Sequence, residues 1–216
     1  MHRTAPLFLA ALLSATPAAA QQGWNFEFFG GTAYSAPSRL TIRQAGEAPI
    51  RLTARWSTRP LADAPYYAYR FARWRNGRGW EAELLHHKVY LENPPAEVEG
   101  FEVSHGYNLV TLGRGWSRGD LLLRLGAGAV LAFPETTVRG RKLSGGGNLP
   151  RGYHLSGPTA QAAVGRRFPL VGGLFAVAEG KLTASYARVP VAGGRAEVPN
   201  AALHGLLGVG YAFPAR

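Results

Sequence analysis

The stretch that most constrains this chain runs from Trp80 to Leu112, WEAELLHHKVYLENPPAEVEGFEVSHGYNLVTL, and reads as two strands joined by a loop. In the second strand Phe101, Val103, Tyr107 and Leu109 fall on one parity, and Glu102, Ser104, Gly106 and Asn108 on the other. A period of two is the mark of a two-faced strand. In a water-soluble sandwich the apolar parity points into a core. In an outer-membrane barrel it points out to lipid, and the polar parity lines the lumen.

The same construction recurs along the chain. Trp24, Phe26 and Phe28 share a face opposite Asn25 and Glu27, and Ile50, Leu52, Ala54 and Trp56 oppose Arg51, Thr53 and Arg55. Tyr67, Tyr69 and Phe71 oppose Arg70, and Leu121, Leu123 and Leu125 oppose Arg124. Between Leu174 and Val189, Glu179, Lys181, Thr183 and Ser185 share a face, while Leu203, Leu207, Val209, Tyr211 and Phe213 share one in the last strand. Residues 38–44 either extend the first element or form a strand of their own. Asn76-Gly77-Arg78-Gly79 is a tight hairpin signal.

Residues 1–20 have a short basic start, an apolar run from Leu7 to Leu13 and a small-residue ending at Ala18-Ala19-Ala20, the layout of a cleaved export signal. Residues 21–216 then form a single domain, and no segment offers the roughly 20 apolar residues of a transmembrane helix. With no cysteine, disulfides, thiolate metal sites and Cys nucleophiles are excluded. Formal net charge is +11, and removing the leader with its Arg3 leaves it near +10, a balance that suits an anionic partner. Nucleic acid is a poor candidate for an exported chain without an aromatic-basic reading surface.

Short turns (76–79, 114–118, 169–173) alternate with longer links (92–100, 140–152, 190–200), as short periplasmic turns alternate with long outer loops in bacterial barrels. The expectation is an all-β fold, a closed antiparallel up-and-down transmembrane β-barrel of about eight strands, or ten if 38–44 is separate. It would lie in the outer membrane as a monomer, inserted by the barrel-assembly machinery. A soluble periplasmic β-sandwich binding protein is the alternative fold. The closing Tyr211-Ala212-Phe213 resembles the C-terminal signal of such barrels, with Pro214-Ala215-Arg216 trailing it.

The polar parities aim Glu27, Glu81, Glu83, Glu102 and Glu179 and Arg51, Arg55, Arg70, Arg124 and Lys181 at one interior. An eight-strand interior is only wide enough for side chains, so these are expected to interlock as a lumen ion-pair network. Glu179 and Lys181 as a lumenal acid and base are the sharper alternative. His86, His87 and His105 come from neighbouring strands, so two could meet at the outer rim as metal ligands or an acid/base pair; an interfacial girdle is the plainer reading. Simple alternation points His105 towards lipid unless a bulge redirects it. Arg139, Arg141, Lys142 and Arg151 flank a glycine run with no acid between Thr136 and Ser156, and are candidates for contacting lipopolysaccharide phosphates.

The H-x-K-x-Y of His86, Lys88 and Tyr90, the F-E-x-S-x-G-x-N of Phe101 to Asn108, the E-x-K of Glu179 and Lys181, and the closing Gly208 to Phe213 resemble the outer-membrane barrel family that includes lipid A oxidase-like proteins. What the resemblance implies is an eight-strand barrel and, for the oxidase branch, oxygen-dependent oxidation of the proximal glucosamine of lipid A. Two functions follow. One is a barrel contacting lipopolysaccharide in a structural or unassigned role. The other is a lipid A-modifying enzyme using Glu83, His86, Lys88, His105 and Asn108; its cofactor is unspecified, with a divalent metal entering only on that enzymatic reading.

Overall fold

The computed structural model describes residues 22–62, 64–147 and 149–214; the expected export signal lies outside them. Thirteen strands follow one another: β1 (Gly23–Ser35), β2 (Ser38–Gln44), β3 (Ile50–Ala54), β4 (Trp56–Ser57), β5 (Tyr67–Arg75), β6 (Arg78–Leu91), β7 (Val98–Arg118), β8 (Leu121–Ala132), β9 (Glu135–Val138), β10 (Arg141–Ser144), β11 (His154–Pro169), β12 (Leu174–Val191) and β13 (Gly194–Ala212). Eight of them close a ring, β1-β5-β6-β7-β8-β11-β12-β13 and back to β1, with every pairing antiparallel. Residues 38–44 do form a separate strand, but β2 pairs with β13 and β3 outside the ring. The fold is therefore an eight-strand barrel with a small cap, and no pair of stacked sheets exists for a sandwich.

The ring is built by the expected alternation. Phe26 and Phe28 on β1, Tyr69 and Phe71 on β5, Trp80 on β6, Leu112 on β7, Leu123 and Leu125 on β8, Val164 on β11, Leu182 on β12, and Leu207 and Val209 on β13 all stand exposed on the outside. Every strand of the ring contributes to this belt. An unbroken apolar girdle of this extent on a closed wall is far larger than a soluble monomer exposes. Asn76 and Gly77, both at positive φ, make the first hairpin turn a type I′.

Residues 114–118, expected as a turn, are instead the end of β7, paired with β6 and β8, and the turn follows them. The turns at 76–77, 119–120 and 170–173 lie at one end of the ring. At the other, β6, β7, β12 and β13 continue well past the roughly 9–11 residues a span requires. Residues 190–200, expected as a long link, are instead strand broken only by the turn at 192–193. These extensions, with β2, β3, β4 and β9, enclose an apolar core of their own that includes Leu40, Ile42, Phe101, Val103, Val189 and Val198. This corrects the lipid-facing expectation for the anchor stretch: Phe101, Val103, Tyr107 and Leu109 all point inward. Above the belt the ring interior is capped by these elements, and much of its inward parity is apolar. Lower on the same strand the order reverts, with Val110 and Leu112 outside.

Side chains fill the ring in layers. At the short-turn end Trp74 is buried against Gly79 and Gly115; a Cβ at either glycine would meet the indole at 2.7 Å. Gly115→Val should therefore destabilise the barrel by about 1–3 kcal/mol through overpacking. A urea midpoint checks this, and adding Trp74→Ala should recover part of the loss.

Candidate functional site

The middle layer is ionic. Arg70 donates Nη1 to Glu27 at 2.6 Å, Nε to Glu83 at 2.7 Å and Nη2 to Glu179 at 2.6 Å. Arg124 donates to Glu81 at 3.1 Å and to Glu179 at 2.6 Å. Arg167 pairs with Glu27, and Lys181 with Glu83. Four carboxylates thus face four cations, all buried and formally balanced. Buried charge is tolerated only when paired in this way.

The network is the one anticipated for Glu27, Arg70, Glu81, Arg124, Glu179 and Lys181. Three other assignments change. Arg51 and Arg55 lie on β3 and just after it, exposed and outside the ring; Glu102 lies in the cap, where it accepts a hydrogen bond from Ser104 at 3.2 Å. Their strands alternate as a barrel strand does, but belong to or extend into the cap, which alternation alone cannot distinguish. Arg167 was the missed member, although Val164 and Phe168 outside on β11 place it on the inward parity. Glu179 and Lys181 are each held by counter-ions, which suits a stabilising role better than acid/base exchange.

Above the ions, His87 and His204 meet edge to face at 5.2 Å between centroids. His204 engages Thr183 at 2.8 Å and Tyr66 on its other nitrogen. Ser35 Oγ lies 3.3 Å from His87. His87 is therefore an interior residue and not part of an interfacial girdle.

The five candidate catalytic residues are split by the barrel wall. Glu83 points inward to Arg70 and Lys181. His86 and Asn108 lie on the outward side, joined by a 2.8 Å bond from His86 Nδ1, with Tyr67 stacked on the imidazole at 4.8 Å. His86 Nε2 is buried there without a hydrogen-bond partner. Lys88 turns to the carbonyls of Ala62 and Ala64. The β6–β7 register slips between His87 and Val89, with Gly106 at φ 133°. This bulge carries His105 outward to Glu135, 2.7 Å away, while Phe101, Val103 and Tyr107 stay inside. Partial burial pushes the Glu135 carboxyl up, but bonds from Ser104, His105 and Ser144 outweigh it and hold the group below its usual range. His86 and Asn108 thus form one unit, His105 and Glu135 another. Among the described residues no three His, Asp or Glu side chains converge as metal ligands.

The basic segment expected to meet lipopolysaccharide is largely neutralised in space. Arg139 binds Glu97 at 2.6 Å and Gln44 at 3.2 Å, and Arg141 binds Glu47 at 3.0 Å. Lys142 and Arg151 remain exposed. The acids absent from the local sequence arrive from the β2–β3 turn and from the link before β7.

A different basic face emerges from the sheet β12-β13-β2-β3. In register, Arg188 lies opposite Glu197, Glu197 opposite Thr41, and Thr41 opposite Arg51; Arg195 lies opposite Arg43, and Arg39 opposite Thr53. All five arginines are on the outward side, and Glu197, 2.6 Å from Arg43, is the acid that meets them. The face stands directly above the belt: Arg188 packs over Tyr186, itself two positions above exposed Ala184 and four above Leu182. Its arginines come from two regions far apart in the sequence, 39–51 and 188–195, and are spaced by four to eight residues within each, so no local charge run announces it.

No protein-family model matches the chain, and no curated protein matches it. Among solved structures it is similar to the outer membrane protein AlkL in DMPC lipid bilayers, at 15% identity over 100% of this chain and 98% of the other, with a TM-score of 0.48. It is also similar to Ail, the attachment invasion locus protein of Yersinia pestis, at 14% identity over 89% and 100% of the two chains and a TM-score of 0.39. Neisserial surface protein A stands at 9% identity, 89% and 98% coverage and a TM-score of 0.44. Likenesses of this strength carry no argument about activity, and the assignment of this chain as a closed β-barrel rests on its own strand pairing.

Proposed function

We propose that this protein is an integral outer-membrane barrel whose outward arginine face binds the phosphates of lipopolysaccharide in the outer leaflet. The short-turn end is then periplasmic, and the capped end faces out. The observation that carries the reading is the position of Arg39, Arg43, Arg51, Arg188 and Arg195, one flat cationic face set immediately above an apolar belt. Guanidinium groups at that height match phosphate geometry in two-bond fashion. The filled interior favours a structural or binding role over conduction.

The test is binding of purified lipopolysaccharide to the full protein in phosphatidylcholine nanodiscs. Replacing Arg39, Arg43 and Arg195 together by Gln is expected to weaken binding by on the order of tenfold or more, since each charged contact contributes about 1 kcal/mol. Dephosphorylated lipid A should bind as weakly to the unaltered protein. Equal affinity in the variant would overturn the reading.

A second reading, modification of lipid A at the outer rim, draws on His86 and Asn108, joined through His86 Nδ1 on the outward side of the wall. Mass spectrometry of lipid A from a deletion strain under aerated growth decides it. An unchanged profile removes the enzyme.

A further inference from the structure

The opposite end of the barrel carries a second cationic feature of different construction. Cross-strand register places Trp24, Arg73, Trp80 and Arg114 in one row across β1, β5, β6 and β7. Aromatic and cation alternate, with the Arg73 guanidinium 5.3 Å over Trp24 and that of Arg114 4.7 Å over Trp80. One step nearer the turn Arg75 and Arg78 sit directly opposite each other. Like charges in register repel.

Among the described residues none of these four arginines has a carboxylate partner. Glu81 borders the region but is turned inward to Arg124. The other flank of the same end is different: there Arg166 is bound to Asp120 at 2.6 Å. Among the described residues at this end, the arginines without a carboxylate partner lie on the side formed by β5, β6 and β7, Arg118 at the end of β7 among them.

A cleft of about 940 Å³ runs through that side, with the arginines at its mouth and Phe71, Ala82 and Leu112 as its floor, continuous with the apolar belt. We propose that this cleft is a binding site for one anionic glycerophospholipid of the leaflet on the short-turn side. Its phosphate would lie between Arg73, Arg78 and Arg114, its headgroup towards Arg75, and an acyl chain along Phe71 and Leu112. A zwitterionic lipid brings its own ammonium to the same place and leaves the four cations uncompensated, so net headgroup charge is what the site reads. The Arg-Trp stacking holds two guanidinium groups in fixed planes before a lipid arrives. The inference rests on the membrane-embedded reading above, but not on the outer arginine face.

The test is tryptophan quenching in phosphatidylcholine vesicles that contain the full protein and a small fraction of phosphatidylglycerol with brominated chains. The cleft predicts that brominated phosphatidylglycerol is enriched around the barrel by about tenfold over brominated phosphatidylcholine. Replacing Arg73, Arg78 and Arg114 together by Gln should bring the ratio to about one, and replacing Arg166, ion-paired with Asp120 on the other flank of the same end, should leave it unchanged. Heat-modifiable electrophoretic mobility verifies that each protein has inserted. If the triple variant does not fold, Arg78→Gln alone, exposed beside the turn, should about halve the enrichment. A ratio near one for the inserted unaltered protein overturns the cleft and leaves the barrel standing, as does enrichment that survives the arginine replacements. Failure of the unaltered protein to insert overturns both.

Discussion

Replacing Arg70 by Met should lower the unfolding free energy by about 3–5 kcal/mol, the cost of leaving buried charges without their partner. The reason is the number of acids that one guanidinium serves. Glu27, Glu83 and Glu179 all bind it within 2.7 Å, from β1, β6 and β12, so its loss sets three carboxylates against one another inside the ring. Lys181 and Arg124 would still hold part of that charge, and Glu83→Gln in the Arg70→Met background should therefore recover part of the stability. Arg51→Met, at a position that alternation also assigns to the lumen, should change it by less than about 0.5 kcal/mol because the side chain stands in water. Urea unfolding in phospholipid vesicles measures both, and equal effects at Arg70 and Arg51 would sink the network as a stabilising element.

Leu207→Arg is expected to cost about 2–4 kcal/mol, the value for a cation at the midplane of a barrel wall. Leu207 is 71% exposed and sits opposite Gly30 and Ala178, in the middle of the belt. In water that substitution would be nearly silent, because an exposed leucine gains nothing from its surroundings. In hydrocarbon the guanidinium must snorkel or drag water inward. The same unfolding assay decides between the two environments: a silent Leu207→Arg would remove the belt from the membrane, and the lipid assignments at both ends with it.

Much of this was legible in residue order, because a strand repeats every two residues whatever surrounds it. Glu27, Arg70 and Arg124 each sit between exposed apolar neighbours, and that spacing alone places them inside a closed wall. The exceptions are the Phe101 to Leu109 and Ile50 to Trp56 stretches, which alternate but whose direction was misjudged: Phe101, Val103, Ile50, Ala54 and Trp56 are all buried inside. Period identifies two faces but carries no sign. The sign came from β2, β3, β4 and β9, which cover the outer end and make its interior apolar.

The candidate sites divide along the same line. His86 and Asn108 do meet, but Glu83, three residues from His86, lies across the wall from it, since neighbours of opposite parity cannot share a site through a sheet. His105 needed a bulge to leave the interior, and only the β6–β7 register reveals one.

The sequence by itself determined the two-faced strands, the ring of about eight and most of the buried ions, because these depend on a local period and on the rule that buried charge must be paired. Only the tertiary structure decided which face of the capped stretches meets the interior, and which arginines remain without acids. Both depend on strands far apart in the chain lying side by side: Arg43 beside Arg195, Arg139 beside Glu97, Trp24 beside Arg73.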